Sequence, residues 1–200
     1  LDYSSVQGSS KKIEDSLVKS FKTKNGRKVS DSRGIEPDKK IEEEYLSVIT
    51  ETLLLKDIIF EFINDNIDLY DQDSLSPESF SLSDSAYKSF VNFTCNKKIN
   101  YQTGSSLQLK ELKKIAKKEK YLKENENIFQ NLDSIFKVDI GKDLIKNEEE
   151  IKFFLENELI SRKHFQRGRM EASLKKDNYV QKALELLNNK EEYNKILGYN

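Results

Sequence analysis

Leu55, Ile58, Ile59, Phe62 and Ile63 recur at i, i+3, i+4, i+7 and i+8, the spacing that lines apolar side chains along one face of an α-helix. Similar stripes follow in Tyr87, Phe90, Val91 and Phe93, then in Leu109, Leu112, Ile115, Ala116 and Leu122. Ile128, Phe129, Leu132, Ile135 and Phe136 make a shorter one, and Val180, Ala183, Leu184 and Leu187 another. Tyr193, Ile196 and Leu197 close the series. A chain written this way has to bury its stripes helix against helix. Only 36% of residues are apolar and 34% are charged, as helices with wide solvated faces require. The 11 Phe and 9 Tyr are more aromatic residues than a disordered chain of this charge would carry.

Breaks in the pattern divide the chain. Helix is expected from about Glu43 to Asn64, interrupted near Leu53 to Lys56. Asp65 to Ser83 repeats Asp, Asn and Ser around Pro77 and reads as a linker. Asp84, and Ser105 or Ser106, are candidate helix caps, and Gly141 a turn. No Pro interrupts Asn147 to Lys176, so the longest helix is expected there, with Ile151, Phe154, Leu155, Leu159 and Phe165 on its buried side. Asn147 with Glu150 suits its first turn. Gly168 inside it is either a close-packing position or a kink. The expected division is 1–64, a linker over 65–83, and a helical domain over 84–200. Gly8-Ser9-Ser10 reads as a loop.

Several function classes are disfavoured. The 34 basic and 35 acidic residues leave a net charge of −1, which gives no reason to expect nucleic acid as a partner. Cys95 is the only cysteine, so no internal disulfide forms. No apolar run reaches the length of a membrane span. The single histidine, His164, has no Cys or second His at metal-ligand spacing, and neither metal nor cofactor is expected. Residue 1 is Leu, as in a trimmed chain or a fragment, so the lack of a targeting signal carries little weight.

The minor β element comes before the helices. Phe21-Lys22-Thr23 and Lys28-Val29 flank Asn25-Gly26, and Asn-Gly accepts the positive φ of a type I′ hairpin turn. Gly34-Ile35-Glu36-Pro37-Asp38 follows as an extended connector, with Pro37 holding Glu36 extended. The expected fold is therefore mostly α with a minor β-hairpin.

Phe21 to Val29, Asp31 and Gly34-Ile35-Glu36-Pro37-Asp38 together resemble a segment of the carboxy-terminal processing peptidases, or tail-specific proteases, in their Bacteroidetes-type form. Asp2-Tyr3-Ser4, Gly8 and Lys12 to Leu17 are similar to the same family. One departure is that only Gly34 remains of the glycine run that usually precedes the Ile. Phe90-x-x-Phe93, Lys98-Ile99-x-Tyr101-x-Thr103, Asp143-Leu144, Glu158-Leu159-Ile160-x-Arg162, Gly168-Arg169-x-Glu171-x-Ser173-Leu174-x-x-Asp177 and Tyr193-x-x-Ile196-Leu197 resemble its carboxy-terminal helical region. Single motifs are only moderately specific, and their shared order carries the match.

The resemblance implies the hairpin tail of a protease domain followed by a multi-helix domain, both from a periplasmic or cell-envelope serine endopeptidase that cleaves proteins near their C-termini. It implies upstream protease and PDZ domains in the parent, protein or peptide substrates, and a possible homo-oligomer. The family's catalytic Ser and Lys precede the Gly-Ile-x-Pro-Asp motif, so no residue here receives either role. The helical part would then act as scaffold or in substrate access. The alternative is a stand-alone helical interaction module.

Other candidate chemistry can be weighed residue by residue. Ser85 with Lys88, and Ser9 with Lys12, have Ser-x-x-Lys spacing. A working dyad needs a lysine with a lowered pKa and an oxyanion hole, and a lysine on a solvated helix or polar loop stays protonated. His164, between Lys163 and Phe165, is a candidate general base, but with no Cys nearby in sequence it reads as a helix-surface or interface histidine. Arg162, Arg167, Arg169 and Lys163 form a basic cluster that can bind an anion or a peptide carboxylate, but pairing with Glu156, Glu158 and Glu171 along the helix is the expectation. Residues 110–123 hold seven Lys and two Glu. Their mixed polar face, without a Trp or Phe anchor, reads as solvated rather than membrane-binding.

Overall fold

The computed structural model describes residues 18–30, 37–42, 44–70 and 75–199. The Gly8-Ser9-Ser10 loop, the Ser9–Lys12 pair and Asp31 to Glu36 lie outside the described residues. The fold is mostly helical with one small antiparallel sheet. The chain groups into two compact units, residues 44–174 and the parts flanking them.

The flanking unit contains the hairpin. Strands β1 (Ser20–Lys22) and β2 (Lys28–Ser30) pair with Phe21 opposite Val29. Their loop is one residue longer than a type I′ turn. Gly26 N–H donates to the Thr23 carbonyl at 2.9 Å, and Thr23 N–H to the Arg27 carbonyl at 2.8 Å. Gly26 has a φ of 82°, whereas Asn25 is not among the positive-φ residues. Three loop residues with one left-handed glycine give the alternative hairpin geometry, and the Thr23 hydroxyl supports it by accepting from Arg27 N–H at 3.2 Å. Helices α9 (Asn178–Asn188) and α10 (Lys190–Leu197) complete this unit. Asp177 caps α9 through Val180 N–H, and Asn189 caps α10 through Glu192 N–H. Lys39 pairs with Glu192 at 2.7 Å. Gly198 closes α10 in the left-handed conformation, so near the hairpin that a Cβ there would lie 2.9 Å from the Asn25 carbonyl oxygen.

The other unit begins at Ser47, whose hydroxyl caps α1 (Val48–Leu55). Asp57, at φ 56°, breaks the chain before α2 (Ile58–Asn66). Leu55 ends α1 on this break and is 85% exposed, so the expected stripe is buried only from Ile58 to Ile63. A 3₁₀ turn over Ile67–Leu69 follows. Leu75 and Leu82, within the stretch 65–83, are both buried. Ser83, rather than Asp84, caps α3 (Asp84–Asn96). Thr103, rather than Ser105 or Ser106, caps α4 (Gly104–Lys118). Short α5 (Tyr121–Glu124), α6 (Glu126–Ile135) and α7 (Ile140–Lys146) follow, with Gly141 inside the first turn of α7 rather than in a loop.

Helix α8 (Glu148–Ser173) runs through the core. Ile151, Leu155 and Leu159, one turn apart, are completely buried with Leu53, Ile63, Phe90 and Leu144. Phe62 packs edge-on against Phe90 with ring centroids 5.1 Å apart. Asn147 does not cap α8 through its side chain, because that amide donates to the Asp143 carbonyl at 2.8 Å. At Phe165 the backbone turns to φ 53° and ψ −154°, and α8 kinks. The kink carries Phe165 out of the apolar stripe and leaves it 74% exposed. Gly168, just beyond, is buried against His164, so this stretch combines the kink and the close packing that Gly168 allowed.

Candidate functional site

Polar side chains of α8 reach the elements around it. Glu150 accepts from the Ser47 hydroxyl at 2.7 Å and from Ser47 N–H at 3.1 Å. Glu156 accepts from Leu82 N–H at 2.9 Å. Lys152, only 9% exposed, places Nζ 2.7 Å from Asp84 Oδ1 and 2.7 Å from Glu148 Oε1. The same ammonium lies 5.5 Å from the Tyr87 ring centroid.

This cluster borders a cleft of about 510 Å³ that includes Lys88, Val91 and Ile145. Hydrogen bonds to Asp84 and Glu148 hold the Lys152 pKa well above its ordinary value, and the bond from Lys152 lowers that of the Asp84 carboxyl. Burial, then the Glu148 charge, raises the Tyr87 phenol, which donates to the Leu144 carbonyl at 2.6 Å. These shifts keep Lys152 and Tyr87 protonated and Asp84 ionised. A serine nucleophile needs a neighbouring amine with a depressed pKa, so Lys152 is a lock between α3 and α8 and not a base.

The residues singled out by sequence are dispersed. Ser85 and Lys88 are exposed on α3. The Ser85 hydroxyl lies 3.0 Å from that of Ser83, and no hydrogen bond joins it to Lys88 among the described residues. His164 Nε2 donates to the Leu75 carbonyl at 2.6 Å, which commits that nitrogen to tethering the chain between α2 and α3. Arg162 pairs with Glu158 at 2.8 Å and lies over the Phe60 ring at 4.6 Å. Arg167 pairs with Glu171 at 3.0 Å. The expected pairing along the helix therefore holds for Glu158 and Glu171, whereas Glu156 turns to Leu82. Among the described residues no group of three His, Cys, Asp or Glu is placed to hold a metal ion, and no helix is long and apolar enough to cross a membrane.

The lysine run of 110–123 takes an unexpected form. Helix α4 ends at Lys118, Lys120 turns left-handed at φ 68°, and α5 and α6 fold back beside α4. An ion pair between Lys113 and Asp133 ties α4 to α6. The corner encloses a groove of about 820 Å³, with Leu122 and Phe129 among its apolar lining and Lys117, Lys120 and Lys123 among its cations. None of these three lysines has an ion-pair partner among the described residues. Sequence reasoning read this run as one solvated face. The turn at Lys120 creates the concavity, and the missed signal was that Leu122, inside the run, and Phe129, just after it, belong to one apolar surface and not to two separate helix stripes.

Residues 49–187 match the family model for the C-terminal helical domain of a probable PDZ-protease. No curated protein and no solved structure matches the chain.

Proposed function

This chain belongs to the family of C-terminal helical domains of probable PDZ-proteases, and on that premise we propose that it is the non-catalytic C-terminal segment of a tail-specific serine endopeptidase. The parent would cleave proteins near their C-termini in the bacterial cell envelope, with its nucleophile, base and PDZ domain upstream of this segment. The extent of the family match, from α1 to the end of α9, carries the reading as a protease segment, and the tail-specific serine part rests on the resemblance of Phe21 to Val29 and Gly34 to Asp38. The hairpin supports it. A two-stranded sheet is marginal by itself, and both outer edges of this one are unpaired among the described residues. A hairpin belonging to a larger protease sheet would leave those edges bare. The helices would serve as scaffold and in substrate access.

The test compares the intact gene product with this chain in an assay on an unfolded protein. Cleavage by the intact protein only, abolished by replacing an upstream Ser, is the expected result. Cleavage by neither would favour a stand-alone helical interaction module. Cleavage by this chain alone would overturn the non-catalytic reading, and Ser85, Lys88 and His164 would be the first residues to replace.

A further inference from the structure

We propose that the groove formed by α4, α5 and α6 binds an acidic polypeptide segment that carries an apolar side chain. The chemistry of the lining argues for this occupant. Leu122 and Phe129 offer apolar surface inside the concavity, and such surface gains by receiving an aliphatic or aromatic side chain. Lys117, Lys120 and Lys123 stand around it without ion-pair partners among the described residues. The C-terminal end of α4 favours Lys117 through the helix dipole, but that leaves its hydrogen-bonding capacity unused. A volume of about 820 Å³ lies in the range of sites that enclose a ligand.

Other anionic partners fit less well. Glu124, Glu126 and Asp133 also line the groove. They disfavour a uniformly anionic partner such as a lipid surface or a nucleic acid backbone, whereas a peptide can place its few carboxylates on the lysines and turn its backbone N–H groups toward these three acids. A concave site also matches an inserted side chain better than a flat lipid surface. The lining sets Lys113, Lys117, Lys120 and Lys123 against Glu124, Glu126 and Asp133, and Lys113 pairs with Asp133. The remaining positive excess is small and favours an acidic partner that places its carboxylates on the three other lysines.

Only the use of the groove, recruitment of unfolded substrate, rests on the protease reading, and its binding can be measured without proteolysis. The probe is a short fluorescent peptide of alternating Glu and Leu with one Phe, titrated with the full chain while anisotropy is followed. Saturable binding that weakens with salt is expected. The combined Lys117→Gln, Lys120→Gln and Lys123→Gln variant should bind about tenfold more weakly, and Arg at the same positions should retain binding. Circular dichroism of each variant confirms the helices. Equal binding of the peptide with Lys in place of Glu, or no effect of the Gln variant, overturns the proposal. Binding to phosphatidylglycerol vesicles without binding to the peptide also overturns it, in favour of a membrane surface. If the groove fails to bind while the intact protein still cleaves, the groove inference alone falls. If the groove binds but the intact protein is inactive, the protease reading alone falls.

Discussion

A Cβ on Gly168 would sit 2.1 Å from the His164 Cβ and 3.3 Å from the Ile160 Cγ2. An ordinary helix position gains roughly 1 kcal/mol when Gly becomes Ala. Here the sign reverses, because overpacking a closed contact costs about 1–3 kcal/mol. His164 has little room to yield, since its ring is tied to the Leu75 carbonyl. Gly168→Ala should therefore lower the urea midpoint of the chain, and a raised midpoint would refute the contact. Phe165 shows the complementary point. Its backbone has left the helical region, at a cost of order 1–3 kcal/mol. Apolar spacing alone cannot reveal such a break, which is why Phe165 reads as buried from sequence and is exposed in the fold.

At the scale of elements, α8 holds the helical unit together with carboxylates as well as leucines. Glu150 meets the Ser47 hydroxyl and N–H at the start of α1, where Ser47 also caps the helix. Ser47→Ala removes the cap and this bridge together, and should cost about 1–2 kcal/mol in equilibrium unfolding. Glu150→Gln should cost less, since the amide oxygen still accepts a hydrogen bond. Equal stability of Ser47→Ala and the parent chain would show the bridge to be idle. The helices themselves were legible because their signals are local. Ile58 to Ile63 and Ile151 to Leu159 repeat at helical spacing, and the hairpin announces itself through Asn25-Gly26. The long-range partners were not legible. Glu150 looks like a first-turn carboxylate for its own helix, and only the tertiary arrangement brings Ser47 to it. Lys152 could be paired with Glu148 by i, i+4 spacing, but Asp84 is distant in sequence. The groove depended on one left-handed residue, Lys120, in a position where glycine is the usual marker.

Across the whole molecule, these contacts set the response to pH. Burial raises the pKa of Tyr87 and, with the hydrogen bond to Asp143, that of Tyr101. Hydrogen bonds to Asp84 and Glu148 raise that of Lys152. The folded protein keeps all three protons longer than the unfolded chain, whose groups release them near about pH 10. Their stabilising effect is complete below that pH and fades as pH rises toward the higher folded-state values. Urea midpoints should therefore fall between about pH 9 and pH 11, and Tyr87→Phe should flatten the slope while losing the hydrogen bond to Leu144. A midpoint independent of pH over this range would contradict the assignment. The hairpin carries a consequence of another kind. Lys22 stands opposite Lys28 across the sheet, with Phe21 and Val29 between them and the serines. A second copy adding its own strand to either bare edge would extend that row of like charges, and lysine on an open edge is a known guard against such stacking. The same edge imposes no such penalty on a neutral or acidic strand, so the hairpin discriminates against its own kind while staying open to a different neighbour.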